Sequence, residues 1–510
     1  MHSAVTPSMK KGRLSISAVA PGIRSMRVAD AIIHSIMMLA VFSVLLLGAT
    51  RPALAQTEAD LYNFSGNPDG ASPESRLTAD SAGNLYGTTY SGGLGYGTVF
   101  ELSPSSGGGW TETVLYSFCA ESNCADGSNP TYAYVTFDSQ GNLYGTAYAG
   151  GANGYGVVYK LTPGQSGWTE TVLYSFANSP DGANPVNGLL MDAAGNLYGT
   201  TYAGGSGGNG SVFQLALSGG NWTEKVIYNI SSTYSGLAMD ANGNIFGTTY
   251  RSVFRLHPTK TGGWKTSVIF TFANPATNGT DPNGTPVLDS AGNIYGTTYA
   301  GGADNVGLVY KLSLGTTGKW KEQVLHTFNG TYGGNPLAGL VFDSAGNLYG
   351  TTSQGGRFSD GIIYEMVTGS TGYKFRVLNA FGGENGNGSY ASMIVMNGYL
   401  YGTTHEGGTT GNGVVFAANA NATATTTTIT SSPNPSNYTQ LVTFTATVSP
   451  APPDGELITF EMIGQAPLSG GQAVFQTWTL PVGKTRVRAI YYGDLNFLPS
   501  KSAWMTQVVK

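Results

Sequence analysis

The stretch GNLYGTTY at Gly83–Tyr90 returns six more times along the chain. It reads GNLYGTAY at Gly141–Tyr148, GNLYGTTY at Gly195–Tyr202, GNIFGTTY at Gly243–Tyr250, GNIYGTTY at Gly292–Tyr299, GNLYGTTS at Gly346–Ser353 and GYLYGTTH at Gly398–His405. The central glycines, from Gly87 to Gly402, stand 48 to 58 residues apart. That period suits a four-stranded propeller blade, and seven copies suit a ring.

Around the phrase, each unit offers four strand-like runs. One precedes the phrase, as in Gly188-Leu189-Leu190-Met191, and the phrase is the second. A G-x-V-F type run is the third, at Gly97–Phe100, Gly156–Tyr159, Gly210–Phe213, Gly307–Tyr310, Gly361–Tyr364 and Gly413–Phe416. The fourth follows a tryptophan, as VLYSF at Val114–Phe118 and Val172–Phe176. β-Branched and aromatic residues bounded by glycine and asparagine read as strands, and no helical period is sustained. Asp80-Ser81-Ala82-Gly83-Asn84 and its copies predict tight hairpins with glycine in the left-handed region. The seventh unit lacks a fourth run, yet Leu61-Tyr62-Asn63-Phe64 stands alone ahead of the first. The chain is therefore expected to be all-β, a seven-bladed β-propeller over 57–418 closed by its N-terminal strand, with no unpaired edge left open.

The unit resembles the GloVer tandem repeats of exported bacterial proteins, on the GNLYGTT and G-x-V-F elements that recur in order from Leu61 to Phe416. The resemblance implies export and a repeat fold, and it brings no catalytic residues. Beyond Phe416 the composition shifts. Residues 419–428 read as a linker, and 429–510 as a small Ig-like β-sandwich with alternating strands such as Val442–Val448. TTTTITSSPNPSNYTQLVTFTATVSP at Thr425–Pro450 and YYGDLNFLPSKS at Tyr491–Ser502 resemble bacterial Ig-like repeat domains of surface proteins. The segment between Ile463 and Gln472 is shorter than usual there, which leaves the middle strands open.

Residues 1–55 read as a signal peptide: Lys10, Lys11, Arg13, Arg24 and Arg27, then the apolar run Ile36–Leu47, then Ala53-Leu54-Ala55 as a cleavage site. A retained membrane anchor is the alternative. With cleavage, no membrane insertion is expected, and the protein is exported, to the periplasm, the cell surface or beyond. Residues 1–55 carry six of the 24 Lys/Arg and one of the 29 Asp/Glu, so without them the net charge moves from −5 to −10. An acidic chain without a basic cluster excludes nucleic acid as partner. Cys119 and Cys124, in one loop, are expected to form a disulfide in an oxidising compartment, with free thiols as the alternative.

No catalytic constellation stands in the sequence. His257, His326 and His405 have no nucleophile or carboxylate at a motif spacing, and the last two read as packing variants of repeat tyrosines. The aspartates of the D-S-A-G turns read as turn caps. Asp69, Asp126, Asp181 and Asp281, in the links from fourth to first strands, give calcium only one oxygen donor each, so no cofactor is expected, with ordinary turn structure the leading reading of these aspartates and calcium the alternative. Tyr86, Thr88 and Tyr90 alternate onto one face and read as packing between blades. Two loop sets should share one face, the fourth-to-first links and the second-to-third loops. Both are short at blade four, at Ser231–Ser235 and Tyr250–Arg251, which predicts a notch there. The variable loops make Tyr96, Tyr155, Arg357 and Phe358 the expected contacts for a ligand, glycan or surface protein. A non-enzymatic binding or scaffold protein is the leading expectation. The alternatives are a polysaccharide lyase or hydrolase with carboxylates in the channel, and a spacer without a ligand.

Overall fold

The computed structural model describes residues 58–105, 109–494 and 496–510. The signal-peptide reading of residues 1–55 lies outside them. No described helix is long and apolar enough to cross a membrane.

Seven four-stranded antiparallel sheets follow one another as the blades of a propeller. Blade one runs from the channel outward as Thr78–Ala79, Leu85–Thr89, Thr98–Pro104 and Trp110–Ser117. Blade seven supplies Ile394–Met396, Tyr399–Thr404 and Val414–Asn419, and its outer strand is Glu58–Asn63 from the other end of the fold. The ring closes as the sequence predicts.

Each letter of the repeated phrase has a task. The Asp80 carboxylate accepts the Ala82 and Asn84 amides at 2.8 and 2.9 Å, the Asn84 side chain at 2.9 Å and the Tyr86 hydroxyl at 3.1 Å. Burial alone would raise its pKa, and these hydrogen bonds outweigh burial and hold it below its usual range. Gly83 supplies φ +89° to the turn. Gly87 has no side chain because Phe100 lies over it, and a Cβ would stand 2.6 Å from the ring. Thr88 donates to the Ala133 carbonyl of the next blade, as Thr146 does to Asn187 and Thr297 to Ala338. Thr89 binds Thr98 and the Ser91 carbonyl within its own loop.

The third-strand aromatic of each blade meets the last residue of the preceding blade's outer run. Phe118 meets Tyr159, Phe176 meets Phe213, Phe272 meets Tyr310 and Phe328 meets Tyr364, edge to face at 5.1–5.3 Å. Phe64 meets Phe100 in the same way at 5.1 Å, so the closing strand makes the ordinary seam.

The C-terminal residues form a seven-stranded sheet and a two-stranded ribbon, Gly483–Val487 with Met505–Val509, around Phe444, Ile458, Phe460, Leu468 and Tyr491. A strand, Gly464–Ser469, fills the segment the sequence leaves open. The stretch after blade seven is docked rather than loose. Ala420 and Ala422 are buried with Leu498, and the Thr423 amide donates to the Asn496 carbonyl at 2.7 Å.

Candidate functional site at the channel mouth

The fourth-to-first links line one mouth of a central channel of roughly 1240 Å³, and second-to-third loops bond to those links, as Tyr96 does to Asn129. Glu74, Tyr132, Tyr234, Asn283 and Tyr390 line it from five different links. Asparagines at left-handed φ position these links. The Asn129 amide donates to the Tyr96 carbonyl at 2.7 Å and its side chain to the Tyr90 carbonyl at 3.2 Å, and Asn184 repeats the pattern with Tyr155 and Tyr148.

Aromatic faces wall the mouth on two sides. Tyr234 stacks on Tyr202 at 4.8 Å and meets Tyr132 edge-on at 5.6 Å. Tyr390 stacks on His405 at 4.9 Å. Glu74, only 8% exposed, belongs with the second wall: His405 Nδ1 stands 3.1 Å from its Oε1, off the line of a good hydrogen bond, and its Oε2 has no partner among the described residues. Below Glu74, the Arg76 guanidinium lies 4.2 Å over the Tyr134 ring. Burial, first of several causes, raises the pKa of Tyr132, Tyr234 and Tyr390, so their hydroxyls remain donors at neutral pH.

Two sequence readings need correction, and two others concern histidines. His405 packs face to face on Tyr390 and also stands beside Glu74 at the mouth. His326 packs as well, stacked on Phe375 at 3.7 Å, with burial lowering its pKa to about 4. Tyr86 and Tyr90 do not share one environment. Tyr86 is buried at 6% exposure, while Tyr90 is exposed at the mouth side. Asp281 is also out of series. Its amide donates to the Tyr250 carbonyl, which is the position of Asn129, and Asn278 takes the place of the other link aspartates and contacts Glu322.

Tyr96 and Tyr155 lie exposed on the loops of blades one and two. Arg357 lies 4.9 Å over Phe358 and 3.6 Å over Tyr492 of the C-terminal module. No contact joins this pair to Tyr96 or Tyr155 among the described residues. Cys119 and Cys124 are disulfide-bonded. Blade four replaces its loop by a tight turn between Thr249 and Ser252. Sequence reasoning missed Glu74, Arg76, Tyr132, Tyr234 and Tyr390. One signal was present: Thr131-Tyr132, Thr233-Tyr234 and Ser389-Tyr390 repeat a hydroxyl–tyrosine pair in three links.

The link aspartates serve the seams between blades. Asp126 accepts the Tyr116 hydroxyl at 2.7 Å and the Ala120 amide at 2.9 Å, and Asp69 and Asp181 repeat this with Tyr62 and Tyr174. A glutamate of the following blade completes each seam. Burial, then the charge of Asp69, pushes Glu112 up to about 7; burial, then Asp126, pushes Glu170 up to about 8; burial, then Asp181, pushes Glu224 up to about 7. The folded state therefore holds these protons more tightly than the unfolded chain. The stability they contribute is complete below pH ~4.5 and is lost as pH rises through 7 to 8. The melting midpoint should fall by roughly 2–4 °C between pH 5 and pH 8.5, and Glu170→Gln should flatten that slope. Calorimetry showing the same slope in both proteins would exclude this role. No group of three His, Cys, Asp or Glu is placed to hold a metal ion among the described residues.

Ring closure, the phrase at each seam and the walled mouth define a tandem-repeat propeller. The chain belongs to the Gloeobacter/Verrucomicrobia repeat family, whose model matches residues 95–253 and 250–461. Residues 429–510 match the group 3 bacterial Ig-like domain. Among solved structures, the chain is similar to virginiamycin B lyase from Staphylococcus aureus, at 12% identity and TM-score 0.45, over 71% of this chain and 98% of that one. It is also similar to the extracellular domain of a one-component system from B. thetaiotaomicron, at 11% identity and TM-score 0.47, over 88% and 58%. A gluconolactonase from Xanthomonas campestris follows at 13% identity and TM-score 0.35, over 59% and 89%. No curated relative matches the sequence.

Proposed function

We propose that the protein is an exported, non-enzymatic binding protein that takes a saccharide at the channel mouth. The observation that carries this reading is the pair of aromatic walls, Tyr132–Tyr234–Tyr202 and Tyr390–His405, around an open cavity with polar groups between them. Aromatic faces suit the C–H faces of sugar rings, and the hydroxyls and Glu74 suit their O–H groups. The channel's carboxylates support binding over hydrolysis. Asp138 and Asp192 each hold a hairpin turn through four hydrogen bonds, and Glu74 is the one other carboxylate lining the cavity among the described residues. Export is supported by the secretion-type residues 1–55, the disulfide and the Ig-like module. Tyr96 and Tyr155 extend the platform outward for a longer chain, while Arg357 and Phe358 seat the module.

The test is a glycan array with the protein lacking residues 1–55, followed by calorimetry on each hit. Tyr234→Ala combined with Tyr390→Ala should weaken binding at least about tenfold, a loss of ~1.4 kcal/mol, with an unchanged melting midpoint. Full affinity in that variant, or turnover of the bound glycan, defeats the reading.

A further inference from the structure

We infer that the saccharide carries a carboxylate, as a uronic acid unit does, and that Arg76 receives it. This rests on the binding reading above and adds the charge and chemistry of the ligand.

Arg76 sits two residues below Glu74 on the way into blade one's inner strand, roughly 7 Å deeper into the channel. Tyr134 of blade two supports its guanidinium at 4.2 Å, and both residues line the channel. The stacking fixes the plane of the group. Its Nε is buried without a hydrogen-bond partner, and no Asp or Glu lies within ion-pair distance of it among the described residues. Of the carboxylates lining the channel, Asp138 and Asp192 are held within their turns, and Glu74 stands beside His405 with its Oε2 unpartnered.

The other six blades put Tyr134, Gly188, Gly236, Thr285, Gly339 and Ser392 at the equivalent position, so among the described residues Arg76 is the one cation lining the channel. A held guanidinium without a counter-charge is unfavourable unless something pairs with it. One planar cation matches one planar anion, and the guanidinium fork pairs with a carboxylate through two parallel hydrogen bonds. A doubly charged phosphate would call for further donors than one guanidinium and would meet about twice the repulsion from Glu74 that a singly charged carboxylate meets. The aromatic walls above make the bearer of that carboxylate a sugar ring, and Glu74 Oε2, buried and unpartnered, is an acceptor for one of its hydroxyls.

The experiment titrates the protein lacking residues 1–55 with a panel of uronate oligosaccharides, each beside its methyl ester, and with poly-L-glutamate. The expected result is at least about tenfold tighter binding of one or more acids than of their esters at low salt, with the preference weakening as salt rises. Arg76→Gln should bind acid and ester alike, Arg76→Lys should keep part of the preference, and both should melt like the parent. Equal binding of acid and ester by the parent overturns the inference while leaving the binding reading intact. Tighter binding of poly-L-glutamate than of every uronate overturns the saccharide as the carboxylate's bearer. Absence of binding to every uronate together with hits among neutral glycans overturns the inference alone, and an array without a single hit overturns the binding reading itself.

Discussion

Deleting residues 58–64 is expected to lower the melting midpoint by more than about 10 °C and to make unfolding less cooperative. The deletion strips five paired positions from Val414–Asn419 and the Phe64 amide's bond to the Gly413 carbonyl. It also removes Phe64, fully buried among Leu77, Leu85, Phe100, Leu102 and Val415. Truncating one such ring to alanine costs about 3–5 kcal/mol, and the deletion adds an open strand edge on blade seven. Phe64→Ala alone should therefore produce a smaller fall than the deletion. A peptide spanning 58–66 should restore part of the lost midpoint, and calorimetry reads all three. An unchanged midpoint in the deleted protein would mean that this strand does not hold the ring together.

Gly97→Ala is expected to destabilise the protein by about 3 kcal/mol or more. Gly97 has φ +96°, and an added Cβ would stand 2.7 Å from Pro130 Cδ of the next link, with the Thr89 carbonyl oxygen closer still. Neither neighbour is a flexible side chain, so relieving the clash means both opening blade one's own hairpin at Thr89 and moving the Pro130 link away. Gly95, two residues earlier, separates strain from clash. It has φ +101° with open space around it, so Gly95→Ala should cost only about 1 kcal/mol. Urea denaturation of both variants makes the comparison, and equal losses would mean that the proline contact at Gly97 carries no weight.

The architecture was readable because each blade repeats the same local solution. The turn aspartate, the central glycine and the paired threonines recur because their partners recur, and the orphan run Leu61–Phe64 could be matched to a missing fourth strand. The site was not readable by that route. Glu74, Arg76 and Tyr390 lie in links that vary from blade to blade, and what joins them is their meeting at the axis, across up to 331 residues of chain between Glu74 and His405. Periodicity along the sequence carries no record of that convergence. Arg357 and Phe358 were selected as exposed and variable, which describes their loop correctly. Their partner Tyr492 belongs to another module, and no spacing rule connects it to them. His405 was read as a stand-in for tyrosine because it occupies the tyrosine's place in the phrase, and it does pack on Tyr390, but at the mouth, where the last residue of the phrase leaves the core.

The seat of the C-terminal module has a mechanical consequence. The chain passes to it directly from Val414–Asn419, which is flanked by Tyr399–Thr404 on one side and by Glu58–Asn63 on the other. Tension on the module is thus delivered to an interior strand, which can leave only by sliding against two ladders at once. Arg357 on Tyr492 gives the load a second path, into blade six. Sheared ladders share force among many hydrogen bonds, whereas a peeled edge breaks them one at a time, so the propeller is anchored for pulling through its C-terminal side.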